Sequence, residues 1–131
     1  MKGNMATPLE TASLRVSRSA ILLYAAITDD FNPIHIDPGF AAQTPMKGII
    51  AHGMLSLNLI WQSLRRSLGL DAVARIVLEV RFVRPVREND VVTAGGERDA
   101  DGRCTVWVRN QAGETVIAGH AGPRPEVEMV R

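Results

Sequence analysis

Residues 51–69 constrain the fold more strongly than any other part of this 131-residue chain. Apolar side chains in this segment fall on nearly every face of a helix, and Gly69 suits a helix C-cap. The apolar residues are Met54, Leu55, Leu57, Leu59, Ile60, Leu64 and Leu68. A helix that is apolar on most of its faces is buried rather than exposed on the surface. The sequence therefore predicts one long buried helix, which the rest of the chain must cover.

The part of the chain after this helix is predicted to form strands. Apolar residues alternate there with charged ones, and turn residues such as Asp, Asn and Gly bound each segment. The predicted strands span 74–82, 90–97, 104–110 and 115–121. Short turns between successive strands favour antiparallel pairing. The expected fold class is therefore α+β, with an antiparallel sheet packed on the buried helix.

The part of the chain before the buried helix is predicted to begin with a short strand over 14–17. A helix over 19–28 follows, because Ser17 or Ser19 can cap it and apolar residues recur at helical spacing. Prolines and glycines punctuate 32–50, which predicts an ordered loop containing short helical turns.

Composition limits the number of domains and the class of partner. Hydrophobic residues make up 46% of the chain, which is enough for one core, so 1–131 is predicted to be a single domain. The mixed polar segment 1–10 and the C-terminal segment 123–131 are expected to be loose termini. The 15 basic and 14 acidic residues give a net charge of +1, without the basic excess typical of nucleic-acid-binding proteins.

The cellular location is also predicted from the sequence. Cys104 has no second cysteine with which to form a disulfide, and no zinc-type spacing surrounds it. The first residues lack the apolar core of a signal peptide, and no apolar run approaches the ~20 residues that span a bilayer. We therefore expect a cytoplasmic protein with no metal and no membrane partner. Because so short a chain leaves much of its surface exposed, a deep site is expected to borrow walls from a second subunit.

The segment DDFNPIH at 29–35 carries most of the candidate chemistry. Adding water across an activated double bond requires one group that takes a proton from water and another that delivers a proton to carbon. Asp30 and His35, held on either side of a turn that Pro33 stiffens, are candidates for both tasks. The same segment is also typical of an ordinary turn, in which Asp30 or Asn32 caps backbone amides and His35 is a polar residue without a catalytic task.

A second segment, IIAHGML at 49–55, leads into the buried helix. Gly53 in the first helical turn would let a substrate carbonyl approach the backbone closely. The free N–H groups and the dipole at a helix N-terminus stabilise the oxygen of a developing enolate. In the alternative interpretation, Gly53 only permits tight packing and His52 substitutes for an N-terminal cap.

Together the two segments resemble the MaoC-like hydratases, which include the R-specific enoyl-CoA hydratases. DFNPIH at 30–35 and IAHGM at 50–54 occur in the order found in that family. RFVRPV at 81–86, followed by Asn89 and Asp90, is similar to the strand and turn after the family's helix. The resemblance covers roughly 24–92, and the strand pattern up to 121 is compatible with it.

The resemblance implies a hot-dog fold, in which the antiparallel sheet wraps around the long central helix. It implies a hydratase or dehydratase that adds water syn across the double bond of a trans-2-enoyl thioester to give an R-3-hydroxyacyl thioester, or catalyses the reverse. The acyl group would be carried by CoA or by acyl carrier protein, so no cofactor is expected beyond the CoA or phosphopantetheine of the substrate. A homodimer or higher homo-oligomer is expected.

The resemblance also implies roles for individual residues. Asp30 and His35 match the family's catalytic pair, and Asn32 matches an asparagine that helps to order the active-site loop. Gly53 matches the residue whose N–H binds the thioester carbonyl, and His52 belongs to this substrate-binding motif without an assigned chemical role. At position 29 the chain departs from the family, because many members have glycine where this chain has aspartate.

Further candidates come from helical spacing and from charge. An acyl pocket is predicted from five residues that equally suit a plain core: Tyr24, Ile27, Met54, Leu57 and Trp61. Contacts with the phosphates of CoA or of a carrier arm are predicted for Lys47, Arg81, Arg84 and Arg87.

Two other functions compete with the hydratase interpretation. A hot-dog acyl-CoA thioesterase would use an acidic residue on the central helix to activate water, and residues 52–69 contain no Asp or Glu. A subunit of a hetero-oligomeric dehydratase could supply the fold while its partner supplied the catalytic pair. The presence of both Asp30 and His35 indicates the catalytic type of subunit.

Overall fold

The computed structural model describes residues 6–125, and these residues form six strands and five helices. In chain order the elements are β1 (Thr7–Pro8), β2 (Ala12–Arg15), α1 (Arg18–Thr28), α2 (Pro33–Ile36), α3 (Pro38–Ala42), α4 (Gly53–Leu68), α5 (Leu70–Val73), β3 (Ile76–Phe82), β4 (Val91–Arg98), β5 (Cys104–Arg109) and β6 (Thr115–Pro123). The predicted long helix, the helix before it and the four later strands are confirmed, with bounds that differ by one to two residues.

All six strands belong to one antiparallel sheet. Four of them form the order β4-β5-β6-β3, while β1 and β2 both pair with β4 along its other edge. The last strand of this order, β3, pairs with β6 on one side only. The meander predicted from the short turns therefore holds for β4, β5 and β6, whereas β3 crosses over to lie beside β6.

Helix α4 packs across β2, β4 and β5 and fills the concave side of the sheet. On the helix, Ile60 and Leu64 are completely buried, and they contribute to one core cluster with Val92, Val108 and Ile117 from three strands. Inward and outward residues alternate along β5, as expected for a strand with one covered face. The predicted α+β architecture, an antiparallel sheet wrapped around a central helix, is confirmed.

The prediction that α4 is buried on most of its faces is wrong. Its buried residues lie along one side and include two serines, Ser56 and Ser63. Met54, in contrast, is 52% exposed. Apolar composition alone could not reveal this, because a helix that lies against a single sheet has only one side covered within one chain.

The prediction of a loose N-terminal segment is wrong for the residues that the structure describes. Thr7 and Pro8 pair with β4, Leu9 is buried, and the Glu10 N–H donates to Ser67 Oγ over 2.8 Å. A strand of two residues is too short for a period of two to reveal it. At the other end, β6 extends to Pro123, and 1–5 and 126–131 lie outside the described residues.

Within residues 6–125, every helix is too short or too polar to traverse a lipid bilayer. This agrees with the absence of a long apolar run in the sequence.

Candidate active site

The end of α1 determines where Asp30 lies. Asp29 has a left-handed backbone conformation, with φ of 57°, and its N–H and the Asp30 N–H both donate to the Ala25 carbonyl. This arrangement closes the helix and turns the chain sharply. A left-handed backbone conformation at this position favours glycine, which explains why glycine is common there in the family that the sequence resembles. The Asp29 side chain is exposed.

Asn32 organises the turn between Asp30 and His35. Its Oδ1 accepts a hydrogen bond from the Ile34 N–H over 3.1 Å, and so caps the N-terminus of α2. Its own N–H donates to Asp30 Oδ1 over 3.2 Å. Pro33 occupies the first position of α2, where the lack of an N–H does no harm. Asn32 therefore ties the carboxylate to the short helix that carries the imidazole.

His35 is oriented by a backbone carbonyl. Its Nδ1 lies 2.7 Å from the carbonyl oxygen of Ile50, which has no hydrogen to donate, so Nδ1 carries the proton. In the neutral ring Nε2 is then left as a hydrogen-bond acceptor. His35 is half-buried and lines a cavity.

His52 connects the two motif segments. Its Nε2 lies 3.0 Å from the backbone carbonyl oxygen of Asp30, and its ring stacks on that of His35 with the centroids 3.9 Å apart. Tyr24 packs against it edge-on at 5.1 Å. His52 is buried and is the N-cap residue of α4, but its side chain makes no capping hydrogen bond. It therefore holds the Asp30 loop against His35 and does not substitute for a cap in the way the alternative interpretation supposed.

These contacts bring Asp30, His35 and His52 into one cluster. One carboxylate oxygen and one ring nitrogen from each histidine all lie within 4.8 Å of one another. An ionised carboxylate and a neutral imidazole both accept hydrogen bonds, so Asp30 and His35 can hold one water molecule between them. One carboxylate and two imidazoles could also bind a divalent metal ion. The expectation of a site without metal therefore stays a prediction.

A cavity of about 290 Å³ opens beside this cluster. Gly53, Phe82 and Arg84 lie at its exposed rim, and Val86 and Ile117 lie on its buried floor. The Gly53 N–H is the first of α4 and has no hydrogen-bond partner among residues 6–125. It is therefore available to a carbonyl oxygen that enters the cavity.

Gly53 also packs tightly, as the alternative interpretation proposed. A Cβ atom at this position would lie 2.9 Å from Cε1 of Phe82, closer than such contacts normally come. The packing interpretation of this glycine therefore agrees with the structure, since the Phe82 ring occupies the space that a side chain would need. The binding of a substrate carbonyl by Gly53 stays a prediction.

The five residues predicted to form an acyl pocket do not line this cavity. Ile27 is 71% exposed and Met54 is 52% exposed, whereas Leu57 belongs to the buried core. Trp61 packs against the core, and Tyr24 contacts His52. Helical spacing indicates which residues share a face, but not whether that face meets the sheet, the cavity or solvent.

The four predicted phosphate-binding residues lie in different places. Arg84 lines the cavity and also lies 3.8 Å from the Glu114 carboxylate. Arg87 donates a hydrogen bond to the Met46 carbonyl. Lys47, the next residue after Met46, is exposed. Arg81 projects from the face of β3 opposite to the one that packs on the core.

The sequence interpretation missed several residues of the cavity. They come from three separate elements and the loop after β3, and they meet only through the fold: Ser56, Phe82, Ile117 and the loop residue Val86. For Ser56 a signal existed, because a serine four residues after His52 on a predicted buried helix needs a hydrogen-bond partner.

This chain is similar in sequence to a known protein family and to individual enzymes. Residues 2–118 match the family described as MaoC like domain. An (R)-specific enoyl-CoA hydratase of Aeromonas caviae is 33% identical over 115 residues, which cover 83% of this chain and 86% of the hydratase. A 3-hydroxybutyryl-CoA dehydratase of Methylorubrum extorquens is 37% identical over 83 residues, which cover 63% of this chain but only 53% of that protein.

Solved structures of two hydratases have the same fold. The (R)-hydratase of A. caviae aligns with a TM-score of 0.76 and 28% identity over 93% of this chain and 97% of that one. An R-hydratase of Pseudomonas aeruginosa in the unliganded form aligns with a TM-score of 0.74 and 28% identity over 98% of this chain and 90% of the other. The hot-dog fold expected from the sequence is thereby confirmed.

Proposed function

Because this chain belongs to the MaoC like domain family, we propose that it interconverts trans-2-enoyl thioesters and (R)-3-hydroxyacyl thioesters by adding or removing water. The observation that carries the proposal is the Asp30–His35 cluster beside a cavity whose rim holds the unpartnered Gly53 N–H. The relatives named for hydration and for dehydration support the same chemistry in its two directions.

The hydrogen-bonding state of the pair supports a specific orientation of the attacking water. His35 Nδ1 is committed to the Ile50 carbonyl, so Nε2 accepts, and the Asp30 carboxylate also accepts. A water molecule between them donates both of its hydrogens to the pair. Its lone pairs are then free to face C3 of the enoyl group.

Charge develops on the thioester oxygen as the water attacks. The oxygen accepts a hydrogen bond from the Gly53 N–H, where the positive end of the α4 dipole adds to the stabilisation. A single such donor is typically worth about 10²–10³ in rate. The enolate is thus stabilised by backbone, without a charged side chain.

Proton transfer completes the addition. His35 Nε2 takes a proton from the water as the oxygen bonds to C3, and the same proton then passes to C2 of the enolate. One molecule of water is consumed, and its hydrogen and hydroxyl add to one face of the double bond. The reverse sequence removes water from the 3-hydroxyacyl thioester. Asp30 holds the second hydrogen of the water and orients the oxygen until the C3–O bond has formed.

The thioesterase alternative lacks its essential residue. A helix that activates water for thioester hydrolysis needs a carboxylate, and α4 contains no Asp or Glu. Its polar side chains toward the core and cavity are those of Ser56 and Ser63. The hydratase assignment is therefore favoured over hydrolysis.

A homodimer is proposed through strand β3. This strand pairs with β6 on one side, and within residues 6–125 its other edge has no partner. Val77, Phe82 and Val83 are 41–55% exposed on or next to this strand. An unpaired edge with exposed apolar side chains favours pairing with a second copy, which would extend the sheet across two chains.

CoA or a phosphopantetheine carrier is proposed as the part of the substrate that remains outside the cavity. Arg84 lies at the rim, and Lys47 follows the lining residue Met46, so these two side chains are the candidates to meet its phosphates. No further cofactor is needed for the proton transfers described.

The proposal is tested by following the loss of enoyl-thioester ultraviolet absorbance across CoA substrates of increasing chain length. Chiral analysis of the product should give the R-3-hydroxyacyl thioester. Release of free CoA thiol without loss of the double bond would instead identify a thioesterase, and turnover of no substrate in the series would overturn the proposal.

A further inference from the structure

Two buried side-chain atoms in residues 6–125 have no hydrogen-bond partner, and they belong to two residues that line the same cavity. These atoms are His52 Nδ1 and Ser56 Oγ. The two residues are 4% and 1% exposed, respectively. Being four positions apart at the start of α4, they lie on the same side of the helix. A buried polar atom without a partner is destabilising, so a ligand that satisfies both atoms is favoured.

Ser56 differs from the other serines of α4. A helical serine usually satisfies its hydroxyl by donating to the carbonyl one turn earlier. Ser67 does so, donating to the Ser63 carbonyl over 2.7 Å. Ser63 donates to the Glu10 carbonyl over 2.6 Å. Of these three serines only Ser56 has a hydroxyl without a partner, and only Ser56 lines the cavity.

The two atoms define the chemistry of the group that would satisfy them. His52 Nε2 faces the Asp30 carbonyl and carries the proton, so Nδ1 of the neutral ring can only accept. Ser56 can donate or accept. A ligand group that meets both must donate to Nδ1 and can accept from Oγ. A hydroxyl meets this requirement, whereas a carbonyl oxygen or a carbon–carbon double bond does not.

We propose that His52 Nδ1 and Ser56 Oγ form a subsite for the C3 hydroxyl of the 3-hydroxyacyl thioester. This inference rests on the proposed function. The subsite is next to the reacting carbon, because the His52 ring stacks on His35, which handles the water that becomes this hydroxyl. Once the C3–O bond has formed, the hydroxyl hydrogen turns from Asp30 to His52 Nδ1, and the oxygen accepts from Ser56.

The subsite predicts a preference that can be measured by binding. The 3-hydroxyacyl thioester gains contacts that the saturated acyl thioester of the same length lacks. Removing the Ser56 hydroxyl should therefore weaken the hydroxyacyl ligand selectively. One neutral hydrogen bond corresponds to roughly 3- to 10-fold in affinity.

The test uses the chain length that the wild-type protein hydrates fastest. Calorimetry measures the binding of the (R)-3-hydroxyacyl-CoA and of the saturated acyl-CoA to full-length protein carrying Asp30→Asn, which slows turnover. The same two ligands are then measured with Ser56→Ala or Ser56→Thr added. The ratio of the two affinities should fall about 3- to 10-fold with Ser56→Ala and stay near its starting value with Ser56→Thr, which keeps the hydroxyl.

Ser63→Ala provides the matched control on the same helix. It removes an equally buried hydroxyl that already has a partner, so it should lower the melting temperature and leave the affinity ratio unchanged. Ser56→Ala should leave the melting temperature unchanged or raise it. Equal weakening of both ligands by Ser56→Ala, or no weakening, would overturn the subsite. Failure of the wild-type protein to hydrate any enoyl-CoA would instead overturn the proposed function.

Discussion

Replacing Asn32 by alanine tests whether the order of the four-residue helix α2 limits catalysis. Asn32 Oδ1 accepts a hydrogen bond from the Ile34 N–H over 3.1 Å. Helix α2 then carries His35 two residues after Pro33. Loss of an N-cap side chain typically destabilises a helix by about 1 kcal/mol. In a helix so short, that loss acts mainly on the local equilibrium between the ordered and the frayed form.

A shift of about 1 kcal/mol changes this equilibrium roughly 5-fold. We therefore expect Asn32→Ala to lower kcat/KM by up to about 5-fold, since only the ordered form holds His35 beside Asp30. Asn32→Ser keeps a capping oxygen without adding charge, and its kcat/KM should stay within about 2-fold of wild type. The assay is the initial rate of enoyl-CoA absorbance loss, with urea unfolding of each variant as a measure of global stability.

Either of two results would refute this reasoning. Unchanged kcat/KM in Asn32→Ala would show that α2 remains ordered without its cap. A fall in Asn32→Ser as large as that in Asn32→Ala would show that the amide itself is required, so that its task is something other than capping.

Three further substitutions or treatments test the structure elsewhere. Asp29→Gly relieves the strain of a non-glycine residue in the left-handed conformation and should raise the free energy of unfolding by roughly 0.5 kcal/mol. Urea denaturation measures this change, and a loss of stability would contradict the prediction. Burial raises the pKa of the Cys104 thiol, so an alkylating reagent at pH 8 should modify it slowly in the folded protein and rapidly in urea; equal rates would contradict it. At Gly119 a Cβ would lie 2.0 Å from the Glu79 carbonyl oxygen, so Gly119→Ala should separate β3 from β6 and markedly lower the melting temperature. An unchanged melting temperature would refute the pairing register of β3 with β6.

The sequence predicted the elements and the proximity of Asp30 to His35 for different physical reasons. Helix α4 and the strands after it follow from periodicity, which is a local property of 10 to 20 residues. Asp30, Asn32 and His35 are close in the chain, so the turn that joins them could be read directly. The short strand β1 could not, because its two residues are recognised only by their pairing with β4.

The way in which the walls of the cavity come together was beyond prediction from one sequence. Ser56, Val86 and Ile117 come together through the packing of α4 against the sheet and through the crossover to β3. Their chain separation gives no periodic signal that links them. The contacts of His52 with the Asp30 carbonyl and with His35 likewise depend on the approach of two loops, which only the tertiary structure defines.

The central claim is that Asp30 and His35 together activate one water, and hydration kinetics of single variants test it most directly. Asp30→Asn and His35→Ala should each lower the rate of enoyl-CoA hydration by about 10²–10⁴ while the circular dichroism spectrum stays that of wild type. Asp29→Asn is the matched control, since it removes a neighbouring exposed charge at a left-handed position that asparagine tolerates, and it should retain the wild-type rate. Near wild-type hydration by folded Asp30→Asn and His35→Ala would contradict the account.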